Sequence, residues 1–195
     1  MSRSAGPDGR PVRRLESRAD WETWLDANHA VSTGVWINFG KKATGVASVS
    51  HSEALDVALC YGWIDGQATG LDDGWWLQRF TRRRPGSKWS QINCQKAIDL
   101  IAEGKMRPAG LAEVEAAKRD GRWDAAYAPQ RSIAVPADLQ QKLDASPRAR
   151  DFFARLDSKN RYAILYRLHD AKKPETRARR LEKFVAMLED GKKIH

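Results

Sequence analysis

Apolar residues recur at two periods along this chain, and the change from one to the other divides it. Near the start, Trp21, Trp24 and Leu25 stand at i, i+3 and i+4, which predicts a helix from Ser17 to about Asn28. Val35–Phe39 then reads as a strand of aromatic and β-branched residues after Gly34. Two further aromatic-rich runs, Tyr61–Gly66 and Trp75–Thr81, are joined by a Gly/Asp turn around residues 72–74 and predict an antiparallel pair. Between these strands, Ser50-His51-Ser52-Glu53 is a capping-box pattern in front of Ala54–Cys60, a helix apolar around most of its circumference.

From Ser87 onward the period is helical throughout. Trp89, Ile92, Leu100 and Ile101 trace one face that ends at Gly104. Pro108 suits a first helical turn with Leu111 and Val114 facing inward. Pro136 opens a short helix bearing Leu139 and Leu143. Ser146-Pro147 is an N-cap and N1 pair before Phe152, Phe153 and Leu156. Ser158 reads as the cap of a helix carrying Tyr162, Leu165, Tyr166 and His169. Pro174 starts the last helix, with Leu181, Phe184, Val185 and Leu188 on one side. The predicted class is α+β: a small, mostly antiparallel sheet of three or four strands with packed helices, then an all-helical C-terminal part. Residues 1–13, small, polar and Gly/Pro-bearing, read as a disordered leader. Residues 14–86 then form the sheet domain and 87–195 the helical one.

At 195 residues, with 42% hydrophobic and 30% charged residues, the chain buries enough surface to need no metal or disulfide staple. Cys60 and Cys94 fall among apolar helical residues, where a free thiol acts as a small hydrophobe. No apolar run approaches the ~18 residues of a membrane span, and no hydrophobic signal region opens the chain, so the expected compartment is the cytoplasm. The net charge of +9 points to an anionic partner, whether a small molecule, a protein surface or nucleic acid.

That charge is concentrated where the two periods meet. Between Gln78 and Lys88 stand Arg79, Arg82, Arg83, Arg84 and Lys88 with no acidic residue, bracketed by Trp75, Trp76 and Trp89. Guanidinium forks beside indole faces suit a phosphate or carboxylate. Ser87, at a predicted helix start, and Asn93, one turn in, add hydroxyl and amide groups to this candidate ligand site. Arg79, on the strand, is expected to pair with Asp65 of the neighbouring strand. Arg82, Arg83, Arg84 and Lys88 are then the freer cations.

Four segments carry a likeness to a known family: SVSHSEALDVALCYGWIDGQ (Ser48–Gln67), LQRFTRRRPGSKWSQIN (Leu77–Asn93), GRWDAAYAPQ (Gly121–Gln130) and NRYAILYRLHDAKKPETRARRLEKFVAMLEDGKK (Asn160–Lys193). Together they resemble the YdeI/OmpD-associated, or bacteriocin-protection, family from about Trp21 to the C-terminus. The resemblance implies a protective, stress-response role and brings no reaction with it.

Other chemistries have less to stand on. Glu53 and Asp65 are the weak catalytic candidates, with His51 and Asp56 nearby in sequence, and no cofactor is expected. The histidines and cysteines lack metal-ligand spacing, and no phosphate-cradling glycine loop is present. Asn160–Arg180 superficially resembles a helix-turn-helix, but Glu175 and Glu182 accompany its Arg177, Arg179, Arg180 and Lys183. The expected function is that of a non-catalytic cytoplasmic protein of the bacteriocin-protection type that binds an anion through the basic, aromatic stretch. The alternatives are nucleic-acid binding and an enzyme acting on an anionic substrate.

Overall fold

A computed structural model describes residues 4–41 and 45–195; the first residues of the expected leader and part of the loop after Gly40 lie outside them. Two compact units form, Met1–Trp89 with Asn93–Ala125, and Ser90–Ile92 with Ala126–His195. The α+β class holds: four strands and eight helices lie among the described residues, and the C-terminal part is helical.

The sheet unit contains β1 (Val12–Arg14), α1 (Arg18–Asn28), β2 (Val35–Gly40), α2 (His51–Cys60), β3 (Trp63–Gly70), β4 (Trp75–Arg82), most of α3 (Gln91–Ala102) and α4 (Pro108–Arg119). The strand order is β1-β2-β4-β3, antiparallel except for β1 on β2. The sheet is therefore mixed. Its parallel strand lies where a disordered leader was expected. Residues 4–14 fold back on themselves, with Val12 N–H donating to Ser4 O (3.0 Å) and Gly6 N–H to Arg10 O (2.8 Å). Trp36 N–H then donates to Pro11 O (2.9 Å), which ties this arm to the sheet. The pairing runs through backbone groups, so the polar, Gly/Pro-rich side chains gave no sign of it.

The predicted capping box at the head of α2 is formed, and α1 has one that was not predicted. Ser17 exchanges bonds with Asp20 at the head of α1, and Ser50 does so with Glu53 at the head of α2. On one face of the sheet, Trp21 of α1 lies edge-on to Trp63 and Phe80, with ring centroids 6.3 and 5.6 Å away. Its indole N–H donates to Ala54 O of α2 (3.0 Å).

Helix α4 belongs to this unit, not to a helical domain beginning at residue 87. It packs on α2 at Gly110. A Cβ there would fall 2.3 Å from the Cys60 carbonyl oxygen and 2.7 Å from that of Leu59, so only glycine lets α4 approach the end of α2 this closely. Arg107 N–H donates to the same Cys60 oxygen (3.1 Å). Helix α3 buries Cys94, Ala97 and Leu100, while Ile92 and Ile101 are exposed. The predicted stripe was out of phase because it was counted from Trp89, which precedes the helix. Leu111 of α4 also stays exposed, and Val114 and Ala117 face inward.

The helical unit comprises α5 (Ala137–Ala145), α6 (Pro147–Ala154), α7 (Ser158–His169) and α8 (Pro174–Glu189). Leu139, Leu143, Phe153, Ile164, Leu168, Phe184 and Leu188 share one core. Ser146 caps α6 ahead of Pro147, as its sequence predicts. The cap of α7 is Asp157 rather than Ser158; its carboxylate accepts from Asn160 N–H (2.8 Å). Asn160 is itself buried, and its Oδ1 accepts from Ile194 N–H (3.0 Å) and His195 N–H (2.9 Å), tying down the C-terminal residues.

Candidate functional site

The basic stretch leaves β4 through a tight turn, in which Arg84 N–H donates to Ser87 Oγ and Ser87 N–H to Arg84 O (both 2.9 Å). Its cations go to different places. Arg79 stands opposite Trp36 in the register, its guanidinium carbon 5.8 Å from the indole centroid, and its Nη1 donates to Asp8 Oδ2 (3.2 Å). The expected partner, Asp65, is opposite Phe80 and so projects from the other face of the sheet. Its carboxylate meets His51 Nε2 at 3.2 Å instead. Arg82 donates to Ala30 O.

Arg83 is not a freer cation. It is 3% exposed, its guanidinium carbon stands 3.6 Å from the Trp89 ring centroid, and its Nη1 donates to Lys88 O (3.2 Å). A cation over an indole face is attracted by the ring quadrupole, more so when desolvated. Trp89 is buried in turn against Trp123, 5.0 Å away. Arg122 closes this cluster by donating to Ser87 O (2.8 Å). The structure therefore brings Arg83, Ser87, Lys88 and Trp89 together, with Arg122 and Trp123, and sends Arg79 and Arg82 to other acceptors. Arg84 is exposed, and Asn93 is half-buried on α3.

The weak catalytic candidates have structural partners. Ser50 hydroxyl and N–H hold the Glu53 carboxyl below its usual range. His51, paired with Asp65, lies among the rings of Phe39, Trp76 and Phe80, and with Phe39 and Trp76 it lines a cavity of about 490 Å³. A second cavity, about 540 Å³, is lined by Arg18, Glu22, Cys60, Tyr61, Lys105 and Arg107. Here Arg18 pairs with Glu22 (2.8 Å), and Lys105 with Glu103 (2.6 Å). Burial pushes the Cys60 thiol up to about 11, which removes the thiolate a nucleophile needs, and burial pushes Tyr61 up to about 12. No group of three His, Cys, Asp or Glu residues suited to a metal occurs among the described residues.

The helical unit holds the site that sequence reasoning missed. A cavity of about 560 Å³ is lined by Gln130, Arg131, Ile133, Ser158, Arg161, Tyr162 and Leu165. No acidic side chain is among them. Arg161 stacks on Phe153, with its guanidinium carbon 4.7 Å from the ring centroid, and the Tyr162 hydroxyl donates to Ala128 O (3.3 Å). Among the described residues neither Arg131 nor Arg161 pairs with a carboxylate. Ser158 and Arg161 belong to the first turn of α7, whose N-terminal dipole also favours negative charge. In sequence, Arg131 is one residue in an irregular stretch, and only the fold brings it beside Arg161. Other arginines of this unit are committed: Arg177 forks onto Asp138 (2.7 and 2.9 Å) and donates to Leu168 O, and Arg180 donates to Arg167 O (2.6 Å). Two of the basic residues of the helix-turn-helix-like segment thus hold helices together.

Compared with known families, residues 13–113 match the one described as a domain of unknown function, DUF8412. That is just over half of the chain. The chain belongs to this family. In this DUF8412 member, residues 132–191 also match the family described as bacteriocin-protection, YdeI or OmpD-associated. The resemblance read from the motifs therefore holds, carried by α5 to α8 rather than by everything from Trp21 onward. No curated protein and no solved structure matches the chain. No described helix is long and apolar enough to cross a membrane.

Proposed function

We propose that this chain is a non-catalytic, stress-protective protein of the bacteriocin-protection type that binds an anionic ligand in its helical unit. The observation that carries this reading is the pairing of Arg131 and Arg161 in a cavity with no acidic lining. Two guanidiniums, a hydroxyl and a carboxamide suit a phosphate or carboxylate group, and Ile133 and Leu165 suit a short apolar body attached to it. The match of residues 132–191 supports the protective role, because α7, which lines the cavity, lies within it. The proposal also puts the protein in the cytoplasm, where the free, buried Cys60 and Cys94 stay reduced.

Calorimetric titration of the full chain with inorganic phosphate and with citrate tests the reading. Each charge-assisted hydrogen bond contributes about 1.5–3 kcal/mol, so Arg131→Gln and Arg161→Gln should each weaken binding roughly tenfold or more. Affinities unchanged by both substitutions would remove the site. A single-stranded oligonucleotide that binds more tightly than either anion, with a steep salt dependence, would favour the nucleic-acid alternative.

A further inference from the structure

On the outer face of the sheet, Asp8 behaves as a ligand that the chain supplies to itself. Its Oδ1 accepts from the Trp36 indole N–H (2.7 Å) and from Arg10 N–H (3.2 Å). Its Oδ2 accepts from Arg79 Nη1 (3.2 Å) and from Arg10 Nη1. The hydrogen bond from Trp36, foremost, and those from Arg10 and Arg79 hold this carboxyl well below the usual carboxylate range. Above it, Gly6 lies flat against the indole: a Cβ there would fall 2.2 Å from a Trp36 ring carbon.

Two features distinguish this from an ordinary ion pair. Arg79 gives Asp8 only Nη1, while its Nε and that of Arg10 are buried without a hydrogen-bond partner. A guanidinium fork offers two parallel donors, and a carboxylate seated squarely on Arg79 would use both. The attachment of residues 4–11, ahead of β1, is also narrow. Gly6 N–H and Gly9 N–H bond within this segment, whereas Asp8 carries its side-chain bonds to the sheet and Pro11 O its backbone one. The same face carries a second cation over an indole, Arg14 at 4.7 Å from Trp75, and Asn38 with a buried Oδ1 that lacks a donor.

We propose that Trp36 and Arg79 form a carboxylate-binding site, that Asp8 fills it as a tethered surrogate, and that the acidic side chains of a peptide displace residues 4–11 to bind there while β1 stays paired. The indole N–H and the Arg79 fork recognise the carboxylate, and Arg14 and Asn38 extend the contact along the sheet. This site is separate from the cavity of the helical unit, so the two readings can fail independently.

The test uses full-length chain carrying Arg131→Gln and Arg161→Gln, which silences the other anion site. The probe is a fluorescein-labelled hexaglutamate peptide, followed by anisotropy. Adding Asp8→Ala should tighten binding at least tenfold, and adding Arg79→Gln to that variant should abolish the gain. Asp8→Asn keeps an acceptor for the Trp36 N–H without the charge; it should give an intermediate gain and serves should Asp8→Ala fail to fold. No gain in either Asp8 variant, or a gain that survives Arg79→Gln, overturns the proposal and leaves Asp8 a structural strut.

Discussion

Arg83 in the sheet unit and Arg177 in the helical unit are both held within the fold, by different means. Arg83 lies under the face of Trp89 and donates to a backbone carbonyl; Arg177 forks onto the carboxylate of Asp138 and donates to Leu168 O. The first arrangement ties the cation to an aromatic packing cluster that does not titrate. The second ties it to a group whose charge depends on pH. Neither leaves a guanidinium for a ligand, in contrast to Arg131 and Arg161, where no carboxylate intervenes. A run of arginines in a sequence thus reports positive charge without reporting whether the fold itself uses it.

The largest effect should come from the aromatic side of this contrast. Trp89→Ala removes an indole that is 1% exposed and uncovers Arg83, so a loss of about 3–5 kcal/mol is expected in thermal or urea unfolding. A loss under about 1 kcal/mol would mean that the indole does not bury the cation in solution. Next comes Arg177→Met. Both partners are about one-third exposed, so the expected loss at pH 7 is only about 1 kcal/mol. The hydrogen bonds from Arg177 are the main reason that the Asp138 carboxyl is held below its usual range. A depressed carboxyl stabilises the fold above its unfolded pKa, roughly 3.9, and that contribution disappears as pH falls through the folded value. The gap between wild type and variant should therefore be full near neutrality and close only under strongly acid conditions. A gap of equal size at pH 3 and pH 7 would take charge out of the comparison. The smallest change in stability should follow Arg161→Gln, within about 0.5 kcal/mol, because the side chain is exposed and meets no carboxylate. Loss of anion affinity without loss of melting temperature would separate that arginine from the other two.

Much of the local architecture was legible because it is written in neighbouring residues. Ser17, Ser50 and Ser146 cap the helices that their spacing predicts, and Pro108, Pro147 and Pro174 stand in first turns. The antiparallel partnership of β3 and β4 also followed from two aromatic runs and a turn. What stayed hidden depends on distant residues. Strand β1 pairs through backbone atoms of a polar segment. The close packing of α4 on α2 depends on Gly110 meeting Cys60, some fifty residues earlier. The candidate site was the least legible part: Asp8 and Arg79 are 71 residues apart, and the alternation that puts Arg79 and Asp65 on opposite faces needs the register. Arg131 and Arg161 carry no motif at all.

Gly110 has a consequence for genetics. Any side chain at this position pushes two helices apart against carbonyl oxygens that cannot rotate away. A methyl group is the gentlest such wedge. Gly110→Ala is therefore a natural source of a heat-sensitive allele: a protein that accumulates at low temperature and is lost on warming. Such an allele would let cells be challenged with a bacteriocin before and after the protein is withdrawn, within one culture and without touching any candidate ligand residue.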